Sequence, residues 1–481
     1  MRSSPSPARL RRTAALLTAL LAGAASASDA VRGESVAHRS PGGVQERCVM
    51  LARMPGGHYR QAEESAERAL CAINFYDGTH ALCPKLFSTS PGTLVYDLAD
   101  GPYARRAADF EREVCPKGHI VTTEAVHGAI SFKMSVNTRE TSATFANASF
   151  IYYHFARWFD AAVAVPPAVL RSMDKDQHLQ RVARSGEAVS ATRPPLKMLH
   201  AGWATVVRAE RDPGSYTPTD ELFSADRKQV YGVLLHPEGH RYGEEVNGSR
   251  SSGWGDGQSL DFQKTAPFVA LATDQPLAQA IRQGLATGHA ANAIPAEVRE
   301  LQMAYWMREL IAIVLLDHLL GQQDRIGNID YLNHWVWVER GEVLQRAASG
   351  RQPPADIAEF KPRLIKRTVL GDNDAGVRVS YANYTQRTGM LDKLRHFDPK
   401  TYSQLMAMAR DFAARGALHE HVRSSYGFSA AEFERLAGNV RQAAALLQAN
   451  CRAGKLRFDL DPEAVARGET PTEPKVDCDN P

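Results

Sequence analysis

The sequence predicts an α+β protein of two lobes, a small β-rich one followed by a mainly helical one, with a disulfide-tied extension in front. Three observations lead there. Short β-prone runs gather in the first half: Ile120, Val121, Val126, Ile130 and Phe132 around Gly128, then Val165 to Leu170, then Gln229 to Leu235. Long apolar stripes at helical spacing gather in the second half, the strongest from about Ala296 to Leu320 through Leu310, Ile313, Val314 and Leu316. Six cysteines form an even set, four of them near the front. The 481 residues exceed a single domain of roughly 100–200 and suit two lobes that share one cleft.

Residues 1–27 have the layout of a secretory signal: Arg2, Arg9, Arg11 and Arg12, an apolar run from Ala14 to Leu21, and the small residues Ala25-Ser26-Ala27. The run is too short to span a membrane, and no later stretch supplies a transmembrane segment. The expected product is a secreted or periplasmic protein. Loss of the four arginines takes the formal charge from +3 to −1, which argues against a nucleic-acid partner. In an exported chain, Cys48, Cys71, Cys83, Cys115, Cys451 and Cys478 are disulfide candidates, pairing within the front four and within the last two. Sequence leaves the pairing of the front four open. A zinc site ranks below disulfides, because there is no Cys-x-x-Cys unit and no cysteine beside paired histidines.

Residues 28–44 are poor in apolar side chains and read as a disordered mature N-terminus. Residues 45–118 read as the Cys-rich extension, with a helix from Gln61 to Cys71 and turn signals at Asn74 to Gly78 and at Thr89-Ser90-Pro91-Gly92. The small lobe is placed at 119–245: a hairpin around Gly128, a helix from about Phe145 to Phe159, a polar loop over 174–196 and the strand from Gln229. The large lobe is placed at 246–455, with a Gly-rich loop from Asn247 to Gln258 and further helices near 400–415 and 430–449. Residues 456–481 form a C-terminal tail.

Two segments of the large lobe carry chemistry. In Leu316-Asp317-His318-Leu319-Leu320-Gly321-Gln322-Gln323-Asp324-Arg325-Ile326-Gly327-Asn328 a buried helix ends at a glycine and a loop presents Asp, Arg and Asn. Forty-eight residues later, Leu370-Gly371-Asp372-Asn373-Asp374-Ala375-Gly376-Val377 closes a β-like segment that begins near Leu364. Upstream, Gly128-Ala129-Ile130-Ser131-Phe132-Lys133-Met134 is a strand ending in a lysine. Phosphoryl transfer needs a cation for the phosphates, oxygen ligands for a divalent ion and a carboxylate near the acceptor hydroxyl. Each residue alone has a plainer reading: Asp324 as a turn cap, Asp372-Asn373-Asp374 as a turn, Lys133 as a solvated strand-edge lysine.

The order of these segments resembles the atypical, protein-kinase-like superfamily that includes the HipA toxin kinases, the phosphatidylinositol 4-kinases and the secretory-pathway kinases related to Golgi casein kinase and four-jointed. The resemblance spans about residues 119–385. It implies a protein-kinase-like fold, with Asp324 as the catalytic carboxylate, Asp372 and Asn328 as metal ligands, and Lys133 on the nucleotide phosphates. ATP and Mg2+ or Mn2+ are the implied cofactors, and a hydroxyl on a protein, glycan or small molecule is the implied acceptor.

Three departures stand out. The metal-binding position five residues after the catalytic Asp holds Ile329, leaving Asn328 at plus four and Asp330 at plus six. Asn147 stands where the helix glutamate that pairs with the lysine is usual, and Glu140 is the nearby substitute. The phosphate-covering loop is expected to retain one glycine, Gly128. These departures keep two alternatives open: a pseudokinase that binds nucleotide or serves as a scaffold, and an enzyme that transfers AMP.

Overall fold

The computed structural model describes residues 27–98, 101–117, 129–137, 143–217, 221–237 and 239–481. The signal expected at 1–27 lies outside these residues except for Ala27, as does the part of the Gly128 hairpin before Ala129.

The small lobe is one antiparallel sheet of seven strands: β1 (Gly33–Arg39), β2 (Gln45–Leu51), β3 (His80–Pro84), β4 (Thr93–Asp97), β5 (Ala129–Met134), β6 (Ala168–Asp174) and β7 (Gln229–Leu235). Their order across the sheet is β1-β2-β6-β7-β5-β4-β3. In β7 six of seven residues are buried, because both faces of the sheet are covered. Side chains alternate across a strand. Tyr231, Val233 and Leu235 accordingly join the core formed with the Ala146–Trp158 helix and the large lobe. Val230 and Leu234 join a second core with Leu179, Val182 and Trp203. That second core corrects the expectation of a loop over 174–196. The segment is helical through Lys175–His178, Leu179–Ala183 and Arg184–Ala191, and its apolar side covers this sheet face together with the helix Lys197–Arg211.

Two further expectations change. Residues 28–44 include β1, which pairs with β2 from Gly33↔Leu51 to Arg39↔Gln45. The region 45–118, set apart as an extension, places β2, β3 and β4 inside the small-lobe sheet. All six cysteines are bonded: Cys48–Cys71 ties β2 to the Gln61–Ala72 helix, Cys83–Cys115 ties β3 to the segment after Ala107–Glu113, and Cys451–Cys478 ties the last long helix to the tail. The tail itself is packed, with the Cys478 carbonyl accepting from the Tyr402 hydroxyl at 2.9 Å.

The large lobe is organised by the 21-residue helix Glu300–Leu320. It is apolar on all sides and almost wholly buried, as a helix at the centre of a lobe must be. Gly321, with φ of 63°, ends it in a left-handed turn that β-carbon-bearing residues adopt less readily. Against it pack Ala266–Leu271, Leu277–Ala290, Ala430–Arg452, Pro462–Arg467 and β11 (Arg363–Val369), the last in a small antiparallel sheet with β8 (His240–Arg241), β9 (Asp330–Glu339) and β10 (Glu342–Ala347). The lobes meet where Ala164 pairs in parallel with Val369, at the end of β11. Among the described residues no helix is long and apolar enough to cross a membrane.

Candidate active site in the interlobe cleft

Lys133 reaches the cleft because β5 is central in the sheet. At Met134↔Gly232 it lies so close to β7 that a β-carbon on Gly232 would stand 2.2 Å from the Lys133 carbonyl oxygen. Lys133 is 7% exposed, and its ammonium donates to Asp372 Oδ1 at 2.8 Å and to the Gly371 carbonyl at 3.3 Å, and lies 3.6 Å from Asp374 Oδ2. Burial pulls the Lys133 pKa down, but Asp372 and then Asp374 outweigh it and the net shift is upward. Burial pushes Asp372 up, and Lys133 followed by Lys85 carries it well below the usual carboxylate range. Asp374 moves the other way, raised by burial while Lys133 opposes and the charge of Asp372 adds to the rise.

Asp324 sits on the loop that Gly321 opens. Its backbone N–H donates to Gln322 Oε1 at 3.1 Å, and its Oδ1 accepts from the Trp254 indole at 3.3 Å. Burial and then the charge of Asp372 raise its pKa. Arg325, buried against Asp317 at 3.0 Å, turns its remaining donors onto the Asp372 carbonyl at 3.1 Å and Asn373 Oδ1 at 2.8 Å. One guanidinium thereby fixes the loop of Asp324 to the segment of Asp372. Asp324, Asp372, Lys133 and Asn328 line a single cavity of about 900 Å³ between the lobes.

Asn328 is in the cavity, but its side chain is engaged. Nδ2 donates to the Asp324 carbonyl at 2.8 Å, and Oδ1 accepts from Arg241 Nη1 at 2.5 Å. Asp330 accepts from Arg241 Nε at 2.6 Å. The expectation that Asn147 partners the lysine is corrected. Asn147 is fully buried and donates to the Tyr426 carbonyl at 2.8 Å, far along the chain, while Asp372 and Asp374 hold Lys133. Glu140 lies outside the described residues. Asn147, Asn247 and Asn383 begin Asn-x-Ser/Thr triplets, yet all three are buried with Nδ2 bonded to backbone carbonyls, so they hold loops and are closed to glycans.

Sequence reasoning missed much of the cavity wall. The loop that roofs it is the 85–92 turn between β3 and β4, whose Lys85, Phe87 and Ser88 to Gly92 line it. Gly128, expected in that role, lies outside the described residues. The only signal was the Thr89-Ser90-Pro91-Gly92 turn. Burial, then the neighbouring Lys133, lowers the Lys85 pKa. Arg241, Arg250 and Trp254 complete the wall. Arg250 and Trp254 lie in the Gly-rich loop from Asn247 to Gln258, whereas Arg241 has no local sequence signature.

Among the described residues no three His, Cys, Asp or Glu side chains converge as a ready cation cage. The donor set fits a divalent ion that shares its coordination between carboxylate and phosphate oxygens, as Mg2+ does in nucleotide sites. Asp372 is the carboxylate that would hold such an ion, with Asp324 lining the same cavity.

No family model matches the chain, and no curated protein matches it in sequence. Among solved structures it is similar to the crystal structure of the Golgi casein kinase with Mn/ADP bound, at a TM-score of 0.41 and 10% identity over 82% of this chain and 77% of that one. A second crystal structure of the Golgi casein kinase matches at a TM-score of 0.39 and 10% identity, over 82% and 76% of the two chains.

Proposed function

We propose that the cleft binds a nucleoside triphosphate and transfers its terminal phosphoryl group to a hydroxyl. The observation that carries this is the convergence of Lys133, Asp324 and Asp372, from three distant parts of the chain, on one interlobe cavity. Lys133 and Lys85 neutralise phosphate oxygens under the 85–92 loop. A divalent ion held by Asp372 would supply charge stabilisation of the transferring group. Asp324 orients the acceptor hydroxyl and takes its proton as the new oxygen–phosphorus bond forms and the bond to the departing nucleoside diphosphate breaks. Positioning and electrostatic stabilisation do most of the work. Three disulfides support an exported protein.

Two observations favour a nucleotide-binding scaffold as a second reading: Arg241 already occupies Asn328, and no carboxylate from the Ala146–Trp158 helix reaches Lys133. A thermal-shift titration with ATP and Mn2+, followed by transfer of radiolabelled phosphate to candidate proteins and glycans, separates the two. Phosphotransfer predicts both signals. Asp324→Asn should keep nucleotide binding within about threefold and lower transfer about 100-fold or more, the usual weight of a positioned base. Asp372→Asn should lose metal-dependent binding. Binding by pure protein without transfer to any acceptor selects the scaffold, and transfer of AMP shows as a larger mass increment on the product.

A further inference from the structure

The second ion position of a two-metal nucleotide site does not fit this cleft. Ile329, which stands five residues beyond Asp324, is fully buried and donates its backbone N–H to Asn247 Oδ1 at 3.1 Å. The polar side chains on either side of it both end on one cation. Arg241 gives Nη1 to Asn328 Oδ1 at 2.5 Å and Nε to Asp330 Oδ1 at 2.6 Å, and it also donates to the Gly327 carbonyl. Asn328 Oδ1 and Asp330 Oδ1, two of the oxygens that could ligate an ion there, are bound to one guanidinium.

Arg241 is held in place by the fold. It lies on β8, paired residue for residue with β9 at Arg241↔Asp330. Its contacts engage two of the three guanidinium nitrogens, and the side chain stays 47% exposed on the wall of the cavity. An arginine so oriented suits phosphate oxygens through its remaining donors. It shares the wall with Lys85, Lys133 and Arg250. Four cationic side chains thus line the cavity, against the three carboxylates Asp324, Asp372 and Asp374.

We infer that Arg241 supplies the positive charge a second divalent ion would bring, so that the cleft takes a nucleoside triphosphate with a single divalent ion. This rests on the nucleotide-binding reading above. The ion belongs to Asp372, and the guanidinium stands at the Asn328–Asp330 end of the cavity.

Counting Mn2+ by electron paramagnetic resonance, with the full chain and saturating non-hydrolysable ATP analogue, tests the inference without any variant. One bound Mn2+ per chain is expected. Two bound ions overturn the inference and leave nucleotide binding standing, whereas failure to bind the analogue at any Mn2+ concentration overturns both. Calorimetry on Arg241→Ala gives an independent check. At one equivalent of Mn2+ its affinity for the analogue should fall about tenfold or more, with Arg241→Lys losing less, since a charged hydrogen-bonding partner is removed in one and retained in the other. Melting without nucleotide controls for folding, and wild-type affinity in folded Arg241→Ala refutes the role.

Discussion

Arg325, the residue after Asp324, donates to the backbone carbonyl of Asp372 at 3.1 Å while its other edge is buried against Asp317. Asp324 and Asp372 are therefore held in register by a side chain that does not itself line the cavity.

Removing that side chain is predicted to disrupt site and fold together. Arg325→Met leaves Asp317 buried without its counter-charge, and loss of one partner of a buried pair costs about 3–5 kcal/mol. Burial already raises the Asp317 pKa against the opposing pull of Arg325. Urea denaturation should show the loss, and the double variant Asp317→Leu/Arg325→Met should recover much of it without restoring nucleotide binding.

The pH profile of transfer is predicted to have an unusually high acid limb. A base acts only when deprotonated, and the Asp324 pKa is raised by burial and by Asp372. Activity should therefore fall, as pH decreases, at a pH above the ordinary aspartate value of about 3.9. The Trp254 indole opposes the rise. Trp254→Phe should move the limb to still higher pH, measured as kcat/KM against pH, with an unmoved limb ruling out Asp324 as the base.

Gly232→Ala is predicted to act on the site from a distance. Its β-carbon would meet the Lys133 carbonyl oxygen at 2.2 Å, so β5 and β7 must separate. Overpacking of this kind costs about 1–3 kcal/mol. Thermal melting should register that loss, and nucleotide affinity should fall with it because Lys133 moves with its strand.

The Cys451–Cys478 disulfide closes a loop with a sequence separation of 27 residues and is predicted to contribute about 3–4 kcal/mol. Replacing both cysteines by serine should lower the unfolding free energy from urea denaturation by that amount, and backbone amides of the tail should lose protection in hydrogen exchange.

The helix Glu300–Leu320 and its glycine stop were legible because helix period and a left-handed cap are local properties. The helices over 174–196 were not. Their buried apolar side chains, Leu179, Val182 and Ala183, are few, and what makes them helical is a sheet face formed by strands elsewhere in the chain. The 85–92 roof was read as an ordinary turn for the same reason. A turn becomes the lid of a cleft only when β4 pairs with β5 beside Lys133.

Residue order alone established a helix that ends in a loop bearing Asp324 and Arg325, a strand that ends at Lys133, and a later turn bearing Asp372. Periodicity and capping act over a few residues, so one chain segment suffices to express them. Contact between Lys133 and Asp372 spans 239 residues, and the capture of Asn328 by Arg241 spans 87. Contacts over such separations exist only once sheet pairing and core packing have brought the segments together, so the lysine's partners, the engaged Asn328 and the lining of the cavity were settled by the folded chain.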